Sequence, residues 1–394
     1  MRRAVPIALV LLALGVGALA GLAAVNLAPA VSSAGSSPSP VSRASPPPSS
    51  STSGGATPAA TASPSASPTA TPVPTPILVA APLDGVLVSP AQAAQHPIAV
   101  MVDDQADARP QSGFNKASVV WQAPAEGGIP RYMLIFQENT PGMVGPVRSA
   151  RYYFIAWAAE WRAMYVHAGG SPQALSTLRS QGNGQLVYNA DDFRYEGRYL
   201  WRVNTRFSPH NLYSDGSHLR SLAKAVRARD GPLVGAWTFG PDAPLAARPV
   251  GGRIAVAYQA NSIRYDYDRA TNTYRRSVLN ASPQVDAADH KPVAPKNVIV
   301  MLVHFGPLND GHPNKKRLEA TIIGKGTAWI ATNGQTIKGT WRKDGLTKPT
   351  QFFDAAGQPV TLTVGQTFVQ VMPTGTPVTV TNGKAPPTPH TGPR

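Results

Sequence analysis

Residues 32–76 contain 11 Pro, 14 Ser, 6 Thr and 8 Ala, and not one aromatic residue. A stretch of that composition has too little apolar surface to offset the entropy of ordering its backbone, so it predicts an unstructured spacer. Its recurrent prolines favour extended segments, giving a reach between roughly 40 Å as a coil and 140 Å when drawn out. The spacer divides the 394-residue chain into a short N-terminal part and a long remainder that must fold without it.

Ahead of the spacer, Met1-Arg2-Arg3 precedes a run from Ala4 to Val25 with no charged residue. As a helix that run spans roughly 33 Å, enough to cross a bilayer core. The two arginines predict a cytoplasmic N-terminus, with everything after Val25 outside. Residues 1–31 are therefore expected to be a signal anchor that tethers the chain to the cell membrane by a single pass. Cleavage at Ala28-Pro29-Ala30, a small-x-small site, is the alternative and would leave a secreted protein. The chain has no Cys. That excludes a thiol-linked lipid, a disulfide framework, a thiolate zinc site and a cysteine nucleophile.

The 36 Lys and Arg against 21 Asp and Glu give a net charge of +15, which raises nucleic acid as a partner. The surplus is spread, however: +2 in residues 1–31, +1 in 32–76, +3 in 77–250, +7 in 251–373 and +2 in the tail. The densest run, Lys315-Lys316-Arg317, lies beside a predicted turn. No nucleic-acid partner is expected. For an exported chain this charge suits an anionic cell-wall polymer or a protein partner in the envelope.

Residues 83–248 alternate strand and helix patterns. Strands are predicted at 97–102, 117–122, 131–136 and 164–167, and helices at 149–163, 172–180 and 216–228. Phe154, Trp157 and Trp161 share one helical face, as do Leu219, Leu222 and Val226. This predicts an α/β domain of a sheet with helices packed on it. Residues 249–373 instead show short alternating strands and turns such as Asn333-Gly334, predicting a small antiparallel β sandwich or barrel-like module. The whole is α+β. Residues 32–82 are read as the linker and 374–394 as an unstructured tail.

Polar residues collect where the strands of the first region end. Asp103, Asp104 and Arg109 follow the first strand, and Glu126 and Arg131 precede the third. Arg148, Ser149 and Arg151 lead into a helix that Ser149 is placed to cap. His167 ends a strand before Gly169-Gly170, with Ser171 as the next N-cap and Pro172 in the first turn. A further segment, 202–213, lacks periodicity and contains His210 and Asn211; it reads as a loop that covers the sheet or lines a cleft. Loops at strand ends are where α/β proteins build ligand sites, and helix N-termini with arginines attract anions. The candidate ligand-binding residues are thus Asp103, Arg109, Glu126, Arg131, Arg148, Ser149, Arg151, His167, Ser171, His210 and Asn211. The histidines have no metal-like spacing and there is no Gly-x-Ser-x-Gly elbow, so neither a metal nor any other cofactor is expected.

Six motifs recur in one order: 97–104, 109–113, 126–131, 144–151, 167–172 and 208–213. Tyr274-Arg275-Arg276, Asp286, Lys296-Asn297-Val298 and Gly339-Thr340-Trp341 follow. Together they resemble the YerB-like lipoprotein family of bacterial envelopes, over about residues 83–373. The resemblance implies a two-domain bacterial surface protein and supplies no reaction. The lipobox Cys typical of that family is absent, and the apolar run at 4–25 takes its place. The expected function is a membrane-tethered binding or scaffold module with an arginine-rich anion site. The alternative is an envelope phosphotransferase or hydrolase acting on a pyrophosphate-containing substrate. For it, the order of Asp103, Arg131, Arg148 and Arg151 is loosely similar to the LytR–CpsA–Psr enzymes, with Asp103 or Asp104 binding Mg²⁺ or acting as base.

Overall fold

The computed structural model describes residues 76–279 and 283–385. The anchor expected at 1–31, and the 32–82 spacer up to residue 75, lie outside them. Among the described residues no helix is long and apolar enough to cross a membrane.

The first part of the chain contributes strands β1 (Ile98–Asp103), β2 (Val119–Ala123) and β3 (Arg131–Phe136), helix α1 (Tyr152–Ala158) and β4 (Met164–His167). Helix α2 (Pro172–Gln181), β5 (Tyr188–Asp191) and helix α3 (Gly216–Ala225) follow. Beyond residue 249 come β6 (Arg253–Ala257), β7 (Ser262–Asp268), β8 (Thr273–Val278), β9 (Asn297–Val303) and β10 (Gly324–Thr332). The chain then adds β11 (Gln335–Lys343), β12 (Gln351–Phe353), β13 (Thr367–Pro373) and β14 (Thr379–Thr381). The protein is strand-rich α+β.

Ten strands form one sheet in the order β12-β11-β10-β9-β13-β2-β3-β1-β4-β5. Strand β13 joins the two parts. It runs parallel to β9 on one side and to β2 on the other, with Thr367 opposite Val119 and Gln370 opposite Gln122. The expectation of a small antiparallel module after residue 249 is thereby corrected: five of its strands, β9 to β13, complete the sheet of the first region. The continuous apolar runs of β9 and β13 have the character of central parallel strands, buried on both faces.

Alternation along β1 sends Ala99 and Met101 to one face and Ile98, Val100 and Val102 to the other. Helix α1 covers the first face with Tyr153, Phe154 and Trp157, and Trp157 stacks on Trp121 of β2 at 4.7 Å between ring centroids. Helix α3, through Leu219 and Leu222, packs on the second face. A four-stranded antiparallel sheet in the order β8-β7-β6-β14 covers the same face through Ile254, Ile263, Tyr265 and Tyr274.

Helix α1 starts three residues later than expected, because the preceding backbone is held in extended pairing. Val147 bridges Val102, Arg148 N–H donates to Met101 O at 2.9 Å, and Ala150 N–H donates to Gly169 O at 2.9 Å. The tail is also corrected. Strand β14 pairs with β6, Val250 bridges Lys384, and Val380 packs against the core. Alternating Thr and Val at 378–381 suits a half-buried edge strand. At the other end, order begins before residue 83, where Val79–Ala80 pairs with Leu87–Val88.

Candidate functional site

Asp103 is the last residue of β1, and its register partner on β3 is Arg131, so the two side chains share a face. Asp104 turns to the opposite face. The 144–148 segment is threaded between the end of β1 and residues 212–214, with Gly145 at φ +147. A Cβ there would meet the Tyr213 ring at 2.7 Å and Leu212 O at 2.8 Å, so only glycine permits the approach that delivers Arg148 to Asp103.

The carboxylate of Asp103 is buried and accepts three hydrogen bonds. Arg148 Nε donates at 2.8 Å and His210 Nδ1 at 2.7 Å, both to Oδ2, while the Gln105 amide donates to Oδ1 at 3.2 Å. Burial pushes the carboxyl up, but Arg148, His210, the Gln105 amide and the nearby Arg131 together hold it below its ordinary value. An ionised carboxylate only accepts, so Nδ1 of His210 carries the proton and Nε2 is left as the other polar edge of the ring.

A second group shares that side of the sheet. Glu126 accepts from Arg151 Nε at 2.6 Å, from Arg131 Nη1 at 3.1 Å and again from Arg151 Nη2. Burial pushes this carboxyl up, and the bidentate Arg151 and then Arg131 outweigh it, holding it at about 2. Its contribution to stability is present above the unfolded value of 4.5 and is lost as pH falls through about 2. Glu126→Gln should therefore cost about 2 kcal/mol at pH 7 and almost nothing near pH 2. Urea denaturation of both proteins across that range checks it; an equal loss at both pH values would contradict it.

Asp104, on the opposite face, belongs to a buried network. Arg109 Nε and Nη2 reach its Oδ1 at 3.1 and 3.0 Å, and Gln122 and Asn261 donate to its Oδ2 at 2.6 and 2.7 Å. Gln122 in turn accepts from Arg276 Nη2 at 2.6 Å. Arg276 is wholly buried, with its guanidinium 5.4–5.7 Å from the ring centroids of Tyr132, Phe368 and Tyr265. Burial holds the Asp104 carboxyl above its ordinary value, although Arg109 and Arg276 pull against it. Every group at its two oxygens is a donor, the set that an ionised carboxylate requires.

The remaining sequence-derived candidates have structural partners. His167 is buried, with Nδ1 2.8 Å from Gly169 O and Nε2 2.8 Å from Asn189 Oδ1. Ser171 caps α2, its Oγ accepting from Ala174 N–H at 3.3 Å. Ser149 does not cap α1: the N-cap position is Arg151, without a side-chain cap bond. Asn211 ties Val203 O and Arg202 into the 202–211 loop. Arg109, Arg131, Arg148 and Arg151 each have a carboxylate partner, so the expected cluster of anion-ready arginines is already neutralised. Neither Asp103 nor Asp104 stands open as a metal ligand. Among the described residues, no three His, Asp or Glu gather as a metal site.

His210 lies in the wall of a cleft of about 630 Å³, together with Asp107, Arg109, Thr205, Arg206 and Phe207. Arg206 spreads its guanidinium over three carbonyls, those of Asp107 at 2.8 Å, Pro110 at 2.7 Å and Arg109 at 3.3 Å. Among the described residues it has no carboxylate within 4.0 Å. Phe207 beside it is 91% exposed. Residue type alone does not single out Arg206, because an aperiodic loop hides which of its arginines is held without a counter-charge. Arg276 did carry a signal: it shares the inward parity of Tyr274 and Val278 on β8.

A mixed ten-stranded sheet, covered on one face by a four-stranded one, with an Asp–His–Arg centre at the end of β1, defines a two-part protein whose parts share a core. Residues 83–229 match the N-terminal domain, and residues 254–369 the C-terminal domain, of the family described as protein of unknown function DUF3048. The relative named "Putative lipoprotein YerB", from Bacillus subtilis (strain 168), is 30% identical over 301 residues, covering 74% of this chain and 86% of its own. The crystal structure of YerB protein from Bacillus subtilis matches with a TM-score of 0.67 at 25% identity, over 76% of this chain and 99% of that one. The chain belongs to this YerB-like family.

Proposed function

We propose that the protein works outside the cytoplasm in a bacterial envelope, and that the cleft lined by His210 and Arg206, beside the buried Asp103, binds the anionic group of an envelope ligand. The Bacillus subtilis relative carries lipoprotein in its name. Here, where there is no Cys to take a lipid, the apolar run Ala4–Val25 serves as the tether and residues 32–75 as the spacer. The partner is then an anionic wall polymer or another envelope protein. The observation that carries the site is Arg206, a guanidinium pinned by carbonyls beside a histidine fixed by a buried aspartate. Arg206 presents a standing positive charge to one anionic group, His210 in its protonated form adds an Nε2–H donor, and exposed Phe207 offers an apolar face to whatever bears it.

Titration of the full-length, detergent-solubilised chain with inorganic pyrophosphate tests this. Binding should weaken at least tenfold in Arg206→Ala and in His210→Ala. Absence of binding, or equal affinity in all three proteins, would sink the reading.

A second reading has one specific observation behind it. With Nδ1 held on Asp103, Nε2 of His210 is set as a general base, the arrangement that a phosphotransferase or hydrolase of pyrophosphate-linked substrates needs. In that case His210→Gln abolishes turnover of such a substrate while pyrophosphate binding survives. Unchanged turnover in the variant removes the enzyme reading.

A further inference from the structure

A group of positive charge without salt-bridge partners lies away from the Asp103 cleft, at the β5 edge of the sheet. Three clefts adjoin there. One of about 550 Å³ is lined by Trp161, Arg162, Tyr188, Arg227 and Arg229, and another of about 550 Å³ by Arg179, Arg194, Tyr195 and Arg227, with Asp191. The third, of about 350 Å³, has Arg220, Lys224, Arg227 and Arg229 in its wall, with Asp230. Arg227 belongs to all three.

Among the described residues, Arg162, Arg179, Arg194, Lys224, Arg227 and Arg229 have no carboxylate oxygen within 4.0 Å. All six are exposed. This contrasts with the loops at the end of β1, where every arginine named from the sequence is paired. Like charges gathered round concave surfaces repel one another and concentrate anions from solution.

The backbone at Arg227 gives a second, independent observation. Helix α3 ends with Val226 as its C-cap, Arg227 N–H donates to Lys224 O at 3.1 Å, and Ala228 N–H donates to Ala223 O at 2.9 Å. Arg227 itself sits at φ +63. This is the left-handed position closing a helix, which glycine fills at least cost. An arginine stands there instead, at the junction of the clefts.

We infer that this edge binds a linear polymer bearing repeated phosphate groups, laid through the three clefts with Arg227 at their meeting point. Separate concavities joined at one residue fit a thin chain with a repeat of charge; a membrane surface would meet a flat or convex face. Tyr188 and Tyr195, each beside an arginine, give such a chain ring faces to lie against. The inference rests on this edge alone and is independent of the Asp103 cleft.

The test uses the full-length chain with long-chain inorganic polyphosphate, and in parallel vesicles of phosphatidylcholine with and without phosphatidylglycerol. Polyphosphate should bind with a steep salt dependence, and Arg227→Gly should weaken it at least tenfold without lowering the melting temperature, since glycine suits the helix end. Arg179→Ala with Arg194→Ala, which leaves the cap untouched, should give a comparable loss if the glycine variant folds poorly. Arg227→Gly should leave pyrophosphate binding unchanged, and in an Arg206→Ala background it should still weaken polyphosphate at least tenfold, so failure here and failure of the Asp103 cleft are separable. Polyphosphate bound equally by the variants, not bound at all, or displaced in preference by phosphatidylglycerol vesicles overturns the inference.

Discussion

Asp104→Asn should cost about 3–5 kcal/mol of folding stability, the loss expected when one member of a buried charge network is removed. Among the described residues, Asp104 is the only carboxylate that hydrogen-bonds Arg109, and Gln122 relays its charge to the wholly buried Arg276. Asparagine keeps the shape but sets its NH2 against Arg109 or against the amide donors of Gln122 and Asn261, leaving the wholly buried Arg276 and the half-buried Arg109 without counter-charge. The effect crosses the two family regions, because Arg276 and Asn261 lie beyond residue 249 while Asp104, Arg109 and Gln122 lie before it. Combining Asp104→Asn with Arg276→Met should recover about 1–3 kcal/mol relative to the sum of the single changes. Chemical denaturation of the four proteins measures it, and simple additivity would show that Arg276 does not depend on Asp104.

Lys343→Met should be destabilising on the same scale, about 3–5 kcal/mol, for a related reason. The side chains of Lys343 and Glu160 are both 0% exposed, and Nζ lies 2.8 Å from Oε1. Burial by itself pushes the carboxyl up and the ammonium down, and each partner restrains the shift of the other. Thr350 adds its N–H at 3.0 Å and its hydroxyl at 2.6 Å to the carboxylate. Without Lys343 that carboxylate keeps two neutral donors and no cation, in a site closed to water. The double variant Glu160→Met with Lys343→Met should restore most of the loss, since matched apolar side chains replace a buried pair at little cost. Equal instability in the single and double variants would assign the effect to packing around Lys343 and not to charge.

Much of this fold is legible in the sequence because its central strands are apolar and short. β1, β3, β4 and β9 stand where their runs of Ile, Val, Leu and Met place them. The single sheet is not legible in the same way. Its joint is the pairing of β13 with β2, Thr367 opposite Val119, and neither run specifies a partner so distant along the chain. Strand β14 was hidden in a Thr- and Pro-rich tail whose alternation becomes meaningful only once β6 offers an open edge.

The site divides in a similar way. Loop position grouped Asp103, Arg131 and Arg148 but left His210 in a separate segment, and the period of two along β1 separates Asp103 from Asp104. Whether an arginine is free or already paired depends on contacts between loops, which residue type and spacing do not encode. That is why the arginines nearest the motifs are neutralised, while the uncompensated ones, Arg206 and the group around Arg227, lie in an aperiodic loop and at a helix end.

The most direct measurement is photo-crosslinking in the native host, with a photoreactive phenylalanine analogue replacing Phe207 in the full-length chain. Phe207 is exposed at the rim of the cleft, so its replacement leaves the core intact. A cleft that binds an envelope ligand gives a discrete adduct containing envelope material, and Arg206→Ala or His210→Ala in the same chain removes it. An adduct of equal yield in those variants, or no adduct with envelope components, would contradict a binding role for the cleft that His210 and Arg206 line.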